Sequence, residues 1–221
     1  MSITATKTIH YPDSDGERMA DNTLQAETMV FLKANLDILY AETPDVFVAM
    51  DLLWYPVEGR PEIRVAPDLF LVFGRPKGYR GSYKQFEEAN IAPQVVFEIL
   101  SPGNRFGEML RKLDFYNQYG AEEYYLYNPE TFDLTIWYRS SPTSELALVE
   151  WEESWTSPRT GIRFDAPGDK EWALTDPKGG PFRSPIEIQR TLNATQEQLA
   201  DVKAERDRLI AQLRAAGIEP E

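Results

Sequence analysis

Residues 94–112, QVVFEILSPGNRFGEMLRK, decide how the chain folds. The first seven are β-prone and apolar on both faces except at Glu98, the pattern of a central strand covered on both sides. Ser101-Pro102-Gly103-Asn104 breaks that strand, and Ser101 or Asn104 can cap a helix whose core stripe is Phe106, Met109, Leu110, Leu113 and Tyr116. Gly120 falls where a left-handed cap would end the helix. Glu98 is the anomaly. Holding its ionised carboxylate among Val95, Val96, Phe97, Ile99 and Leu100 costs several kcal/mol, roughly, unless a cation or donors compensate. A surface strand end or an arginine partner would explain it as well as a metal.

Outward from this core, strand patterns cover residues 46–54 and 65–73, the second with Pro67 near its start, where proline is tolerated. Upstream, Asp21 or Asn22 can cap a helix with apolar positions at Leu24, Met29, Phe31, Leu32, Leu36 and Leu39. Downstream, a Gly/Pro-rich loop spans 74–93, strands cover 123–127 and 134–138, and short strands carrying Trp151, Trp155 and Trp172 continue over 145–176. The expected organisation is an irregular arm over residues 1–21, one α/β domain with a mixed central sheet flanked by helices over 22–180, and a helix over 185–216. In that last helix Ile188, Leu192, Thr195, Leu199, Val202, Arg206, Leu209, Leu213 and Ala216 form a heptad seam, the pattern of a coiled coil joining two or more copies. A helix lying on its own domain is the alternative.

Composition removes most catalytic chemistries. The chain of 221 residues has no cysteine and one histidine, His10, which stands alone in the arm. Thiolate nucleophiles, cysteine or histidine zinc sites and Ser-His-Asp triads are therefore excluded, leaving carboxylates, lysine and oxygen-ligated cations such as Mg²⁺ or Mn²⁺. No apolar run approaches a membrane span, and the N-terminus has no signal-peptide pattern, so a cytoplasmic protein is expected. A net charge of -13 opposes nonspecific binding of nucleic acid, although a local basic patch can act on an acidic body.

Asp68 changes the reading of Glu98. It starts the apolar run PDLFLVF, and pairing of that strand with 94–100, in either direction, can bring both carboxylates to one end of a sheet. Two carboxylates, with waters and substrate phosphate filling the other positions, are the usual provision for Mg²⁺. Alone, a Pro-Asp step is more often a turn. Lys112 lies at the flank of its helix, where a solvated pair with Glu108, one turn earlier, would account for it.

The segments PDLFLVFG and VVFEILSPGNRFGEMLRKLDFYNQYGAEEYYLYNP resemble the putative restriction endonuclease family abundant in photosynthetic bacteria, a branch of the PD-(D/E)XK nuclease superfamily. The resemblance implies a restriction-endonuclease-like fold, Asp68 and Glu98 as metal ligands and Lys112 as the cationic catalytic residue. It departs from the superfamily at Leu100, where the lysine usually stands, and at Glu108, where relatives more often have Asp. Glu27 resembles the helical acid that often completes such sites, and Asp51 is another acid among apolar neighbours. Arg75, Lys77, Arg80 and Lys84, interleaved with Tyr79 and Tyr83, and Arg105 with Arg111 nearby, are candidate contacts to DNA or another nucleic acid. The expectation is a Mg²⁺- or Mn²⁺-dependent endonuclease, and the rival is a noncatalytic scaffold that assembles through the C-terminal helix.

Overall fold

The computed structural model describes residues 9–165, 172–217 and 219. In chain order its elements begin with α1 (Thr23–Leu39), β1 (Val46–Met50), β2 (Trp54–Tyr55), β3 (Leu69–Phe73), β4 (Tyr83–Lys84) and β5 (Val95–Ile99). They continue with α2 (Phe106–Tyr119), β6 (Glu123–Asn128), β7 (Asp133–Tyr138), β8 (Ala147–Leu148), β9 (Ser154–Thr156), β10 (Arg163–Asp165), β11 (Ala173–Thr175) and α3 (Pro185–Ala215). A six-stranded mixed sheet has the order β1-β3-β5-β6-β7-β8. Only β5 and β6 are parallel, because α2 carries the chain back between them; every other neighbouring pair is antiparallel.

All five residues of β5 are buried, as its apolar run requires. Val95, Phe97 and Ile99 pack against Met29, Leu32 and Leu36 of α1 and against Phe164 and Leu174 from the small sheet β11-β10-β9. Val96 points to the opposite face, toward Tyr116 of α2 and Trp54 and Tyr83 of the parallel pair β2-β4. Strand alternation thus sends Glu98 to the α2 face of a three-layered domain.

Several boundaries differ from those read in sequence. The expected strand over 46–54 is interrupted at Asp51, whose φ of 48° turns the chain between β1 and β2. Asn22 caps α1 by accepting from the Gln25 amide at 2.8 Å, whereas α2 starts at Arg105 without a side-chain cap. Asn104 is used instead to hold the preceding turn, accepting from the Ser101 amide at 2.7 Å. The core stripe of α2 narrows to Met109 and Tyr116, with Leu113 packed beside them, while Phe106 and Leu110 face solvent, as does Leu24 of α1. Gly120 ends α2 at φ 101°.

The expected arm falls partly outside the described residues, and its remainder is irregular but anchored. Tyr11 packs edge-on against Tyr55 at 5.2 Å and accepts from the Gly59 amide at 2.6 Å, and Tyr55 donates to the Pro12 carbonyl. His10 is exposed. The chain divides into two units after Phe182. The second contains α3, opened by a Ser184/Glu187 capping box and Pro185, with no residue buried. Among the described residues no helix is long and apolar enough to cross a membrane.

Candidate active site

The antiparallel register of β3 and β5 pairs Leu69 with Phe97, so Asp68, one residue before β3, comes across from Glu98. Glu98 is buried and both its oxygens are held from α2. Lys112 Nζ donates to Oε2 at 2.8 Å, and the Tyr116 hydroxyl donates to Oε1. The two donors stand four residues apart, which on a helix puts them on one face, one turn apart. Tyr116 has no solvent exposure and lies parallel to the Trp54 indole at 6.2 Å, which fixes where its hydroxyl points. Burial and the Glu98 charge push the Tyr116 phenol well above its ordinary range, so it stays a donor.

Asp68 is held differently. Its Oδ2 accepts from the Ile99 amide at 2.6 Å and lies 3.5 Å from Gln25 Nε2. Gln25, buried on α1, donates to the Ile99 carbonyl at 3.0 Å and accepts from the Asp21 amide at 2.8 Å, so it ties α1 and the incoming arm to the end of β5. Burial and the neighbouring Glu98 charge push the Asp68 carboxyl up to about 8. Burial pulls the Lys112 ammonium down, but the charges of Glu98 and Asp68 outweigh it and raise it overall. The single ammonium is directed to Glu98, which leaves Asp68 to a backbone amide and the more distant Gln25 amide. Tyr124 brings a second hydroxyl to this face: it is buried without a hydrogen-bond partner among the described residues, and its phenol is raised by burial and by both carboxylates.

Asp68 and Lys112 open onto a cavity of about 640 Å³. Its lining carries six carboxylates, those of Asp15, Glu17, Asp21, Asp51, Asp68 and Glu108, against two cations, Arg18 and Lys112. Burial and the charge on Asp15 raise the Asp51 carboxyl. Among the described residues no group of three or more His, Cys, Asp or Glu is arranged to hold a metal. Asp68 and Glu98, facing each other across β3 and β5, are the carboxylates that could share a cation, with its other positions left to water or substrate.

The residues singled out in sequence divide sharply. Asp68, Glu98 and Lys112 converge, and Lys112 pairs with Glu98 rather than making the solvated pair with Glu108. Asp51 and Glu108 line the cavity, but Glu27 is exposed on α1, and Gln25, two residues earlier, occupies the inner position. None of Arg75, Lys77, Arg80, Lys84 and Arg105 lines the cavity. Arg75 and Arg80 both pair with Glu88 at 2.6 Å, and Arg80 covers the Phe47 ring. Lys77 donates to the Tyr40 and Ala41 carbonyls, and Lys84 pairs with Glu87 at 3.4 Å, so these cations serve the loop's own structure. Arg105 is exposed at the start of α2.

A family model described as "Uma2: Putative restriction endonuclease" matches residues 17–164, two thirds of the chain and all of the site except the start of the arm. The chain belongs to this family. A solved structure similar to this Uma2 chain is that of a putative nuclease belonging to DUF820 from Anabaena variabilis, at 13% identity and a TM-score of 0.45, covering 62% of this chain and 72% of the other. No curated protein matches. The Uma2 match includes Gln25 and Tyr116, which the sequence reading had not placed in the site. Gln25 had a legible signal, since residues 25, 29, 32 and 36 share one helical face whose other members are buried.

Proposed function

We propose that this Uma2 protein hydrolyses phosphodiester bonds of DNA with Mg²⁺ or Mn²⁺ held by Asp68 and Glu98. The observation that carries the reading is the pairing of two carboxylates across β3 and β5 with one ammonium between them: Lys112 is bonded to Glu98, while burial and the Glu98 charge push the Asp68 carboxyl up to about 8. Family membership supports a nuclease and hence a nucleic-acid substrate. The donors are of the kind a hard divalent ion prefers, carboxylate oxygens, and the cavity beside Asp68 leaves room for water and phosphate. When bound, the cation would supply Lewis-acid polarisation of the phosphate and a more acidic water.

The chain's own groups define the rest. Lys112 brings a positive charge to the cavity wall, where extra negative charge on phosphorus would develop. Tyr116 fixes the Glu98 carboxylate, and Gln25 anchors the carbonyl of Ile99, the residue whose amide holds Asp68. Cleavage of supercoiled plasmid tests the reading. Wild type is expected to nick only with Mg²⁺ or Mn²⁺, Glu98→Ala to lose detectable activity, and Lys112→Met to fall by roughly 10²–10³-fold. Cleavage surviving both substitutions refutes the assignment. The acidic lining favours the noncatalytic scaffold instead, and that reading predicts no nicking by wild type under any divalent cation.

A further inference from the structure

We propose that α3 pairs antiparallel with α3 of a second copy, in a register fixed by its two polar seam residues. Every one of its large apolar seam residues is at least partly exposed, and none of the helix is buried. Leu192, Leu199, Arg206 and Leu213 occupy one core position of the heptad, and Thr195, Val202 and Leu209 occupy the other. A parallel pair in register would set Arg206 against Arg206 of its partner in the seam. An antiparallel pair avoids this, because core positions of one kind then meet those of the other.

Setting Arg206 against Thr195 of the second copy fixes the register. That register also sets Leu192 against Leu209 and Leu199 against Val202, with Ile188 meeting Leu213 at both ends. Both interruptions of the seam thus fall into the same layers, and every other layer from 188 to 213 is wholly apolar. The flanking positions agree: Lys203 comes beside Gln196 and Glu205 beside Gln198, with no like charges opposed. The Arg206 charge is met within its own chain by Asp207 at 2.7 Å. The five acidic and five basic residues of α3 cancel, in a chain whose net charge is -13, so the helix can approach its copy without the repulsion the whole chain would exert.

Cysteine crosslinking of the full chain tests this cleanly, because the chain has no cysteine of its own. In the proposed register Leu192 of one copy lies roughly 25 Å from Leu192 of the other, at about 1.5 Å rise per residue. Leu192→Cys alone and Leu209→Cys alone should therefore form no disulfide dimer, whereas an equilibrated mixture of the two should give the heterodimer under mild oxidation. Self-crosslinking of Leu192→Cys overturns the antiparallel orientation. Absence of any crosslink, together with a monomer in sedimentation of the wild type, overturns the pairing altogether. Both outcomes leave the nuclease reading untouched, since neither substitution lies in the catalytic unit.

Discussion

Asp68 and Glu98 stand side by side yet carry their charge by different means. Glu98 has an ammonium and a phenol within hydrogen-bond reach, while Asp68 has a backbone amide and a distant amide side chain. Because the folded Asp68 carboxyl is raised to about 8, the metal-free folded state binds a proton that the unfolded chain has already released. That contribution to stability is complete below about pH 4 and disappears as pH rises through about 8. Thermal melts without divalent cation should show a decline across that window that is smaller in Asp68→Asn, and excess Mn²⁺ should restore the wild-type melting temperature. The Glu98–Lys112 pair makes a second prediction. Lys112→Met should destabilise the fold by about 3 kcal/mol, because it leaves a buried carboxylate with one donor, and adding Glu98→Gln should recover most of that loss. A sum of independent losses in denaturant melts would contradict the pairing. Glu98 was legible in sequence because a charge inside an apolar strand requires an explanation. The spacing of Gln25 with Met29, Leu32 and Leu36 marked it as core-facing, but neither its role nor that of Tyr116 was legible, since an amide or a phenol at such a position looks the same whether it packs or holds a site group.

Helix α2 is the element that converts sequence spacing into a site. Lys112 and Tyr116 meet the two oxygens of Glu98 only because the helix runs back over the sheet between two parallel strands, and Gly120 sets where that return ends. An alanine at 120 would hold a left-handed backbone and place its Cβ 3.3 Å from that of Ala92. Gly120→Ala should therefore cost about 1–2 kcal/mol in denaturant unfolding, with a weaker effect on any cleavage than Lys112→Met. Unchanged stability would mean that the cap is not needed to seat α2. The strong patterns of α1, β5 and β6 could be read directly, as apolar pattern and burial coincide in them, and α3 by its heptad spacing, although none of its residues is buried. The break at Asp51 could not, because a left-handed turn at a non-glycine residue leaves no mark in an apolar run. Nor could the exposure of Phe106 and Leu110, which depends on how much of α2 the sheet is wide enough to cover.

At the scale of the molecule, part of the acidity apparent from composition lines the cavity where, on the proposed reading, a phosphate would enter. The anchored arm contributes Asp15, Glu17 and Asp21 to the cavity lining, and the loop cations expected to offset them are paired elsewhere. Neutralising the arm with Asp15→Asn and Glu17→Gln should raise affinity for a short DNA duplex several-fold at low salt, with the gain shrinking as ionic strength rises. An unchanged affinity in fluorescence anisotropy would remove the arm from the path of the substrate. No reading of composition could have located this charge, because it depends on where an irregular segment docks. Calorimetric titration of Mn²⁺ at about pH 7 reaches the central claim most directly. The account predicts one site in the wild type, loss of binding in Asp68→Asn, and an enthalpy that changes with the buffer because Asp68 gives up its proton. Absence of binding heat in every buffer, or an Asp68→Asn titration identical to wild type, would contradict it.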